Sequence, residues 1–494
     1  MTKFRSIILT GTALAAMFGN AVSAQKSIGA SVPSSISAKE KQEGAKAHPE
    51  ILNEFGGVYQ SPQTAYVVGV GKNIAVQSGL SNAEGDFTVS FLNSPVNNAF
   101  AIPGGYIYIT RQLTALCNSE AEMAGVLGHE VGHVAARHSK KREKAAGRAS
   151  ILGVLGQVIG GAIGDNGGIL GAIGGLAQKY SGTLAQVFTL KYSRAQEEEA
   201  DDLGIQYLSK AGYDPLALSD MLNSLAMQTT LDARAAGQDA RSVPEWASTH
   251  PDPAKRVVRA AAGAKQYPAS NVRKQDKLFD VIDGMLYGDD PAQGVIEGQE
   301  FLHPDLRLKF AVPAGYGMQN SAQAVVVNGN GGKALFTTAA YSGNKQAYID
   351  AAFKAVAGQQ QVNYGEVRQS AVNGLPVFYA TAAVAGQNGA QNMITIYAYE
   401  FSGTQAYHFA AITPANTDPF ASMFQSVRKM SQSEAAAIKP RKLRIVKVGK
   451  SDTISSIASK MAYTNLQTER FLALNGLQSN AQLQPGRRVK VVTY

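Results

Sequence analysis

The stretch Leu127-Gly-His-Glu-Val-Gly-His-Val-Ala-Ala-Arg-His138, "LGHEVGHVAARH", contains three of the seven histidines in the 494-residue chain. Ser119 and Glu122 precede it with the spacing of a capping box, which predicts a helix that begins near Ser119 and extends past His133. Residues four apart lie on one helical face, so His129 and His133 can present two imidazoles to one ion. The stretch therefore predicts a metal site on a helix.

Glu130 and His138 relate differently to that helical face. Glu130 is rotated about 100° from His129 and can reach a water at the metal without binding the ion, as a general base requires. His138 is about 140° away from the ligand face and lies in a basic run, so we interpret it as a histidine that contacts solvent or a partner. Without a third ligand downstream, the pattern would indicate only a salt-bridged surface helix.

A second, acidic helix is expected to supply the third ligand. The segment "YSRAQEEEADDLGIQYL" (192–208) contains three consecutive glutamates and two aspartates. Spacing alone allows two pairs, Glu197 with Asp201 or Glu198 with Asp202, and the pattern does not separate them.

The two motifs together resemble a known family. His129-Glu-Val-Gly-His133 followed by "SRAQEEEADDLG" (193–204) is similar to the HtpX-, Oma- and BepA/LoiP-type zinc metallopeptidases of the M-48 family, whose second signature reads E-x-x-A-D-x-x-[GA]. The resemblance implies that Glu197 is the third zinc ligand and that Asp201 orients a ligand histidine. It leaves three acidic residues as ordinary charges on the helix surface: Glu198, Glu199 and Asp202.

The resemblance covers residues 40–265 and implies further site residues. The segment "NNAFAIPGGYIYITRQLT" (97–114) is similar to the family's edge strand, which would pair with an extended substrate backbone. In "STHPDPAKRV" (248–257), His250 would either steady the transition state or reach the metal in a self-inhibited form, the alternative being a simple turn histidine. Arg256 would belong to the same environment. The expected substrate-binding residues are Asn98, Ala99, Phe100 and Ala101.

These residues imply a zinc-dependent endopeptidase. Zinc would be held by His129, His133 and Glu197 with water in the fourth position, and Glu130 would take a proton as the water attacks a peptide carbonyl. The expected substrates are unfolded or misassembled cell-envelope proteins. Two alternatives stay open: a peptidoglycan cross-link hydrolase, and a non-catalytic wall-binding scaffold with a vestigial metal site or one locked by His250.

The first 24 residues predict export. Lys3 and Arg5 precede an apolar run that ends in the small residues Val22-Ser23-Ala24, which is typical of a cleavable signal peptide rather than a retained membrane anchor. We expect a periplasmic protein of a Gram-negative-type bacterium, associated with the wall or the outer membrane. The formal net charge of +9 favours anionic envelope polymers and lipid head groups, and nucleic acid is a poor partner for an exported protein. The single cysteine, Cys117, excludes an intramolecular disulfide and is expected to be buried rather than a metal ligand.

Residues 278–430 predict an α+β domain of unknown role with an antiparallel sheet. A hairpin is expected over Ser402-Gly403, and helices are expected at 345–358 and from Asp418-Pro419 onward. The segments whose alternation indicates strands are 306–310, 324–327, 334–338, 377–384, 393–401 and 406–413.

Residues 443–494 follow a linker (431–442) and have the pattern strand, helix, helix, strand. They resemble a LysM module in "VGKSDTISSIASK", "FLALNGL" and "LQPGRRVKVV", although Lys450-Ser451-Asp452-Thr453 stands where such modules usually carry Gly-Asp-Thr. The resemblance implies binding of N-acetylglucosamine-containing glycans such as peptidoglycan. The alternative is a folded end-cap that binds no glycan.

The predicted fold class is multidomain. It comprises the signal peptide (1–24), a mainly α zincin-type (gluzincin) metalloprotease domain (25–268), the α+β domain and a small βααβ LysM-like domain. The glycine-rich segment 151–180 is interpreted as a helical hairpin packed on the protease, with a mobile lid or a membrane-contacting or client-contacting patch as alternatives.

Overall fold

The computed structural model describes residues 35–139, 192–235, 250, 252–357, 362–385 and 391–494. The predicted signal peptide and the glycine-rich segment 151–180 lie outside these residues. Within the described ranges, no helix combines the length and the apolar character needed to cross a membrane.

The N-terminal part combines helices with a three-stranded sheet. Its described helices are α1 (Ala38–Glu54), α2 (Gln63–Ala75), α3 (Arg111–Leu116), α4 (Glu120–Ala135), α5 (Arg194–Lys210), α6 (Ala217–Ala235), α7 (Pro253–Ala264) and α8 (Gln275–Ile282). Its strands are β1 (Thr88–Leu92), β2 (Ala99–Ile102) and β3 (Tyr106–Thr110). Strand β3 lies in the middle, parallel to β1 and antiparallel to β2, so β2 forms an edge of this sheet.

Helix α4 runs through the core of this part. Ser119 caps it, because the Ser119 side chain accepts a hydrogen bond from the backbone N–H of Glu122 at 3.1 Å. The predicted capping box is only half formed, since the Glu122 carboxylate accepts from the backbone N–H of Asn118 at 2.8 Å. Every residue of α4 except Val134 is buried, so this helix carries its histidines inside the protein.

Helices α4 and α5 approach closely because glycine lies where they cross. A Cβ atom on Gly204 of α5 would lie 3.0 Å from the backbone nitrogen of His129. A Cβ atom on Gly132 of α4 would lie 3.1 Å from the carbonyl oxygen of Ala200. The missing side chains let the two backbones come together, which places the histidines of α4 against the acidic residues of α5.

The middle part is built from antiparallel strands. They are β4 (Val295–Glu297), β5 (Glu300–His303), β6 (Leu308–Ala311), β7 (Gly317–Asn320), β8 (Val325–Gly329), β9 (Gly332–Thr338), β10 (Arg368–Val372), β11 (Leu375–Ala385), β12 (Gln391–Ser402), β13 (Gln405–Pro414) and β14 (Arg428–Lys429). Its described helices are α9 (Lys345–Ala357) and α10 (Ala421–Ser426). Seven strands form a sheet in the order β10-β11-β12-β13-β9-β8-β7, and β14-β6-β5-β4 form a smaller one. Helix α9 packs on one face of the large sheet, and an aromatic cluster joins the other face to the small sheet.

The predicted strands of the middle part are confirmed, with bounds that differ by a few residues, and the helix predicted at 345–358 is confirmed as α9. The predicted hairpin is present, but it turns over Gly403-Thr404 because the pairing register shifts between Glu400 and Ser402. Strands β4, β5, β7, β10 and β14 were not predicted: β4 and β14 are only three and two residues long, and β5, β7 and β10 each have a single buried residue, so no alternation marks them.

The helix expected from Asp418-Pro419 was wrong at its start. Phe420 is the N-cap residue and α10 begins at Ala421. The Phe420 side chain is buried, and its ring centroid lies 5.0 Å from that of Tyr316 in the aromatic cluster. The buried ring thus occupies the N-cap position, and Pro419 belongs to the preceding turn.

The C-terminal part packs into the same core as the N-terminal part. A short helix, α11 (Gln432–Ala437), lies inside the stretch expected as a linker. It is followed by β15 (Lys442–Lys447), α12 (Ile454–Ala458), α13 (Gln467–Asn475) and β16 (Arg488–Thr493), and β15 pairs antiparallel with β16. Phe471 and Leu474 of α13 belong to one hydrophobic cluster with Met123 of α4 and Met221 of α6.

Lys490 of β16 joins the two parts through a buried polar contact. Its Nζ donates hydrogen bonds to the carbonyl oxygens of Ala115 at 2.7 Å, Leu116 at 2.9 Å and Cys117 at 2.7 Å. The last carbonyls of a helix have no partner within it and favour a cation, so Lys490 satisfies the end of α3 just before α4 begins. Burial lowers the pKa of Lys490, and the Glu122 carboxylate opposes that shift.

Replacing Gly204 with alanine should separate α4 from α5. The new Cβ meets a backbone nitrogen that cannot move aside, so we expect Gly204→Ala to lower the free energy of unfolding by about 1–3 kcal/mol. Gly263→Ala on α7 is the matched control, because its Cβ would meet Ile205 at an ordinary 3.4 Å. Urea unfolding followed by circular dichroism measures both, and a Gly204→Ala variant as stable as Gly263→Ala would contradict close packing at this crossing.

Replacing Lys490 with methionine should remove the side-chain donor of the Ala115 and Cys117 carbonyl groups, whereas the Leu116 carbonyl keeps a hydrogen bond from Asn118 Nδ2 at 3.3 Å. We expect Lys490→Met to lower the free energy of unfolding by about 2–4 kcal/mol. The control is Lys447→Met in the paired strand, whose side chain is exposed and whose loss should change stability by less than about 0.5 kcal/mol. Equal urea midpoints for the two variants would show that the contact contributes nothing to stability.

Candidate metal centre

Four buried side chains converge where α4 and α5 cross. His129 and His133 come from α4, Glu197 comes from the first turn of α5, and His250 precedes α7. One ligand atom from each lies within 4.8 Å of the others. All four side chains are at most 3% exposed. The structure thus brings together the three ligands that the sequence suggested and adds His250 to them.

The spacing of the four donor atoms fits a tetrahedral ion. His129 Nε2 lies 3.0 Å from His133 Nε2 and 3.3 Å from His250 Nδ1. Glu197 Oε1 lies 3.0 Å from His250 Nδ1 and 3.4 Å from His133 Nε2. Donors bound tetrahedrally to zinc at 2.0–2.1 Å are separated by about 3.3 Å, so these distances fit one zinc-sized ion among them.

The charge states of Glu197 and His133 suit a cation. Burial would raise the pKa of Glu197, but the neighbouring His250 and His133 side chains outweigh burial and hold this pKa well below its usual range. Burial lowers the pKa of His133 well below its ordinary value, which keeps the imidazole in the neutral form that binds metals. Burial would also lower the pKa of His250, but the Glu197 and Glu130 carboxylates raise it.

Asp201 and Arg256 support His129 from behind. Asp201 Oδ1 lies 2.9 Å from His129 Nδ1, on the side of the ring that faces away from the other donors. Arg256 donates to both oxygens of Asp201, from Nε at 2.8 Å and from a terminal nitrogen at 2.5 Å, and it also pairs with Glu197. Burial would raise the pKa of Asp201, but the Arg256 charge lowers it, so the acceptor stays ionised. Arg256 is therefore built into the site, as the sequence suggested.

The interpretation of His138 as a solvent-contacting histidine was wrong. Its side chain is fully buried, and its Nδ1 lies 2.8 Å from His133 Nδ1. The helical rotation that excluded it does not apply, because α4 ends at Ala135 and Arg137 has a left-handed φ of 54°. This turn brings His138 back against the helix. Glu199, expected as a surface charge, lies 3.0 Å from His138 Nε2 through its Oε2.

Glu198 and Asp202 do not face the donors. Arg259 lies 2.7 Å from Asp202 and 3.4 Å from Glu198, and all three side chains are partly exposed. The alternative pair that spacing allowed therefore lies on the outer side of α5. Cys117 is buried, and its sulfur contacts Leu113 and Met221 rather than the donor cluster.

Glu130 and Tyr192 lie beside the four donors. Glu130 is not one of them, and its Oε1 is 3.6 Å from His250 Nε2. Tyr192 stacks on His133, with ring centroids 3.7 Å apart and planes inclined by 22°. Sequence reasoning missed Tyr192, because an aromatic residue before an N-cap has no spacing that marks it as part of a site.

Strand β2 carries the residues expected to bind substrate. It packs along α4 and is the edge of the three-stranded sheet. Its residues and the preceding Asn98 are nevertheless only 0–7% exposed. The Asn98 side-chain oxygen is buried and has no hydrogen-bond partner among the described residues.

Comparison with known proteins identifies two segments of the chain. Residues 61–263 match the model of peptidase family M48, and residues 446–492 match the model of the LysM domain. The first match contains all four donors, Glu130 and Arg256, and the second contains the strand that carries Lys490.

Several characterised proteins are similar over the first of these segments. A beta-barrel assembly-enhancing protease of Yersinia pestis is 30% identical over 226 residues, which are 45% of this chain and 43% of that protein. The mitochondrial metalloendopeptidase OMA1 of Schizosaccharomyces pombe is 30% identical over 226 residues, 44% of this chain and 59% of that protein. A beta-barrel assembly-enhancing protease of Escherichia coli is 25% identical over 283 residues, 55% of each chain. The chain spans about half the length of these relatives.

Replacing Arg256 should damage the site far more than replacing its neighbour on α7. Arg256→Lys removes the planar group that bonds Asp201 and Glu197 together, so we expect the free energy of unfolding to fall by about 2–4 kcal/mol. Arg259→Lys alters a partly exposed pair and should cost less than about 1 kcal/mol. Urea unfolding of both variants in excess chelator measures the difference, and similar losses would contradict the role given to Arg256.

Proposed function

We propose that this chain, which contains a peptidase family M48 domain and a LysM domain, is a zinc-dependent endopeptidase that cleaves unfolded or misassembled cell-envelope proteins. The observation that carries this proposal is the buried set of four converging donors with Glu130 beside it. Two histidines and one glutamate on crossing helices correspond to a gluzincin-type site.

His129, His133 and Glu197 are the proposed zinc ligands. Neutral imidazole and carboxylate together suit zinc, and the donor separations match its short bonds. Asp201 fixes the ring orientation of His129, because a carboxylate behind a ligand histidine holds its N–H and raises its basicity.

Glu130 is the proposed general base. A bound zinc ion would act as a Lewis acid on the scissile carbonyl and lower the pKa of a coordinated water to about 7. Glu130 takes the proton of the attacking water and later passes it to the leaving amine. His250 would be a fourth ligand of a bound ion, and its imidazole would have to move aside to leave that position to water. Once displaced, its N–H can steady the charge that develops on the carbonyl oxygen.

The proposed substrate is an extended protein chain. Strand β2 offers the edge of a sheet beside α4, and an edge strand binds an extended peptide through backbone hydrogen bonds. Two of the relatives are named beta-barrel assembly-enhancing proteases, which supports a role among envelope proteins. The residues proposed to line this binding edge are Asn98, Ala99, Phe100 and Ala101.

The LysM domain is proposed to hold the enzyme at peptidoglycan. The signal-like residues 1–24 favour export, and the formal net charge of +9 favours contact with anionic polymers and lipid head groups. The proposed location is the periplasm of a Gram-negative-type bacterium, at the wall or the outer membrane.

Two other functions are each favoured by one observation. The LysM domain next to a metal centre favours a peptidoglycan cross-link hydrolase. The place of His250 Nδ1 as a fourth donor favours a wall-binding scaffold whose centre is locked. Both are tested by the same experiment as the protease.

Glu130→Gln should abolish peptide hydrolysis without loss of the metal. Glutamine fills the same space but cannot take a proton, so we expect kcat/KM on casein to fall about 10²–10⁴-fold with one zinc ion retained per chain. Glu198→Gln on the outer side of α5 is the control and should keep both the activity and the zinc. Zinc content by atomic absorption and peptide release from casein measure these effects.

The wild type, Glu130→Gln and Glu198→Gln are also incubated with purified peptidoglycan sacculi, which tests the two alternative functions. Release of cross-linked peptides by the wild type, with casein uncut, would support the hydrolase and overturn the protease. A zinc-loaded wild type that cuts neither substrate, with casein cleavage gained in His250→Ala, would indicate a locked centre. Sedimentation of the protein with sacculi tests the proposed wall contact directly.

A further inference from the structure

A second histidine supports the donor cluster behind His133. Helix α4 ends at Ala135, and the left-handed Arg137 turns the chain so that His138 Nδ1 comes to 2.8 Å from His133 Nδ1. His138 is fully buried and His133 is 2% exposed. At this distance one of the two nitrogens must carry the proton and the other must accept it.

The donor cluster decides which nitrogen carries that proton. His133 Nε2 points at the other three donors, so Nε2 needs its lone pair free to bind a cation. A neutral imidazole with a free lone pair on Nε2 carries its proton on Nδ1. His133 Nδ1 therefore donates to His138 Nδ1.

Glu199 completes the same chain of hydrogen bonds. Because His138 Nδ1 accepts, its Nε2 carries the proton, and that Nε2 lies 3.0 Å from Glu199 Oε2. The carboxylate accepts this bond and holds His138 in the tautomer that His133 requires. Each ring nitrogen in this series of hydrogen bonds then has a single role as donor or acceptor, and no contact places two N–H groups against each other.

The turn that carries His138 is fixed from two sides. Arg137 forms an ion pair with Glu40, which is buried, and donates to the carbonyl oxygen of Ser35 at 3.2 Å. Gln196 of α5 donates to the carbonyl oxygen of His138 at 3.5 Å. A left-handed conformation costs a non-glycine residue about 1 kcal/mol or more, and these contacts offset that cost.

We propose that His138 and Glu199 are positioning residues for the metal ligand His133, matching the support that Asp201 gives to His129. The inference rests on the proposed function only in taking His133 as a ligand. His138 sets the ring orientation and tautomer of His133, and Glu199 sets those of His138. Loss of such outer partners typically weakens metal affinity about 10–100-fold.

Four variants of the full-length protein test separately the hydrogen bond from His133 to His138 and the hydrogen bond from His138 to Glu199. His138→Phe keeps a ring but removes the acceptor. His138→Asn keeps an acceptor oxygen near the place of Nδ1 but loses the bond to Glu199. Glu199→Gln keeps an acceptor and removes the charge, and Glu198→Gln is the matched control on the other side of α5.

Zinc affinity is measured by competition with a chromophoric chelator, which does not depend on hydrolysis. We expect His138→Phe to weaken affinity about 10–100-fold and His138→Asn to weaken it clearly less, because asparagine still accepts from His133. Glu199→Gln should weaken it about 3–10-fold, and Glu198→Gln should stay within about two-fold of the wild type. The visible spectrum of the cobalt-substituted protein should shift in His138→Phe and Glu199→Gln and stay unchanged in Glu198→Gln.

Three results would overturn the inference. The first is wild-type zinc affinity in His138→Phe. The second is an equal loss of zinc affinity in His138→Asn and His138→Phe, and the third is an equal loss in Glu199→Gln and Glu198→Gln. Thermal melting in excess chelator shows whether each variant folds, and if His138→Phe does not, His138→Asn and Glu199→Gln decide the matter. A wild type that binds zinc without cutting casein would refute the proposed function and leave this inference standing.

Discussion

The candidate metal centre depends on how closely α4 and α5 can approach. His129 and His133 on α4 and Glu197 on α5 project from helix faces that are in direct contact, and the backbones meet where Gly132 and Gly204 have no side chain. The donor atoms of His129, His133 and Glu197 lie within 4.8 Å of one another, and a Cβ atom at either glycine would push the two helices apart. The A-D-x-x-G signature therefore carries a steric requirement as well as a chemical one.

Burying several ionisable groups at one crossing requires that their charges be matched. Arg256 lies against Asp201 and Glu197, so the two carboxylates share one guanidinium. Without that partner the like charges would repel in a site from which water is excluded. The arrangement holds Glu197 directly, and His129 through Asp201, in the orientation that a bound cation would need.

The sequence predicted what local patterns determine and missed what tertiary contacts determine. Spacing placed His129 and His133 on one helical face, whereas Glu197 was separated from Glu198 only by resemblance to a family. Alternation located the long strands of the middle part, although α9 covers one face of their sheet and the aromatic cluster covers the other. His138 was misjudged because the rotation argument was extended beyond Ala135, where the helix ends, and no local signal announces a left-handed arginine.

The contact made by Lys490 bears on the order in which the N-terminal and C-terminal parts fold. Its partners are 373 to 375 residues earlier in the chain, so the carbonyl groups of Ala115 and Cys117 gain this donor only when β16 packs against α3. Helix α4, which carries His129 and His133, begins soon after those carbonyls. A contact of such high sequence separation has to close a very long loop, so the end of α3 acquires its last hydrogen bonds only when the C-terminal part packs against it.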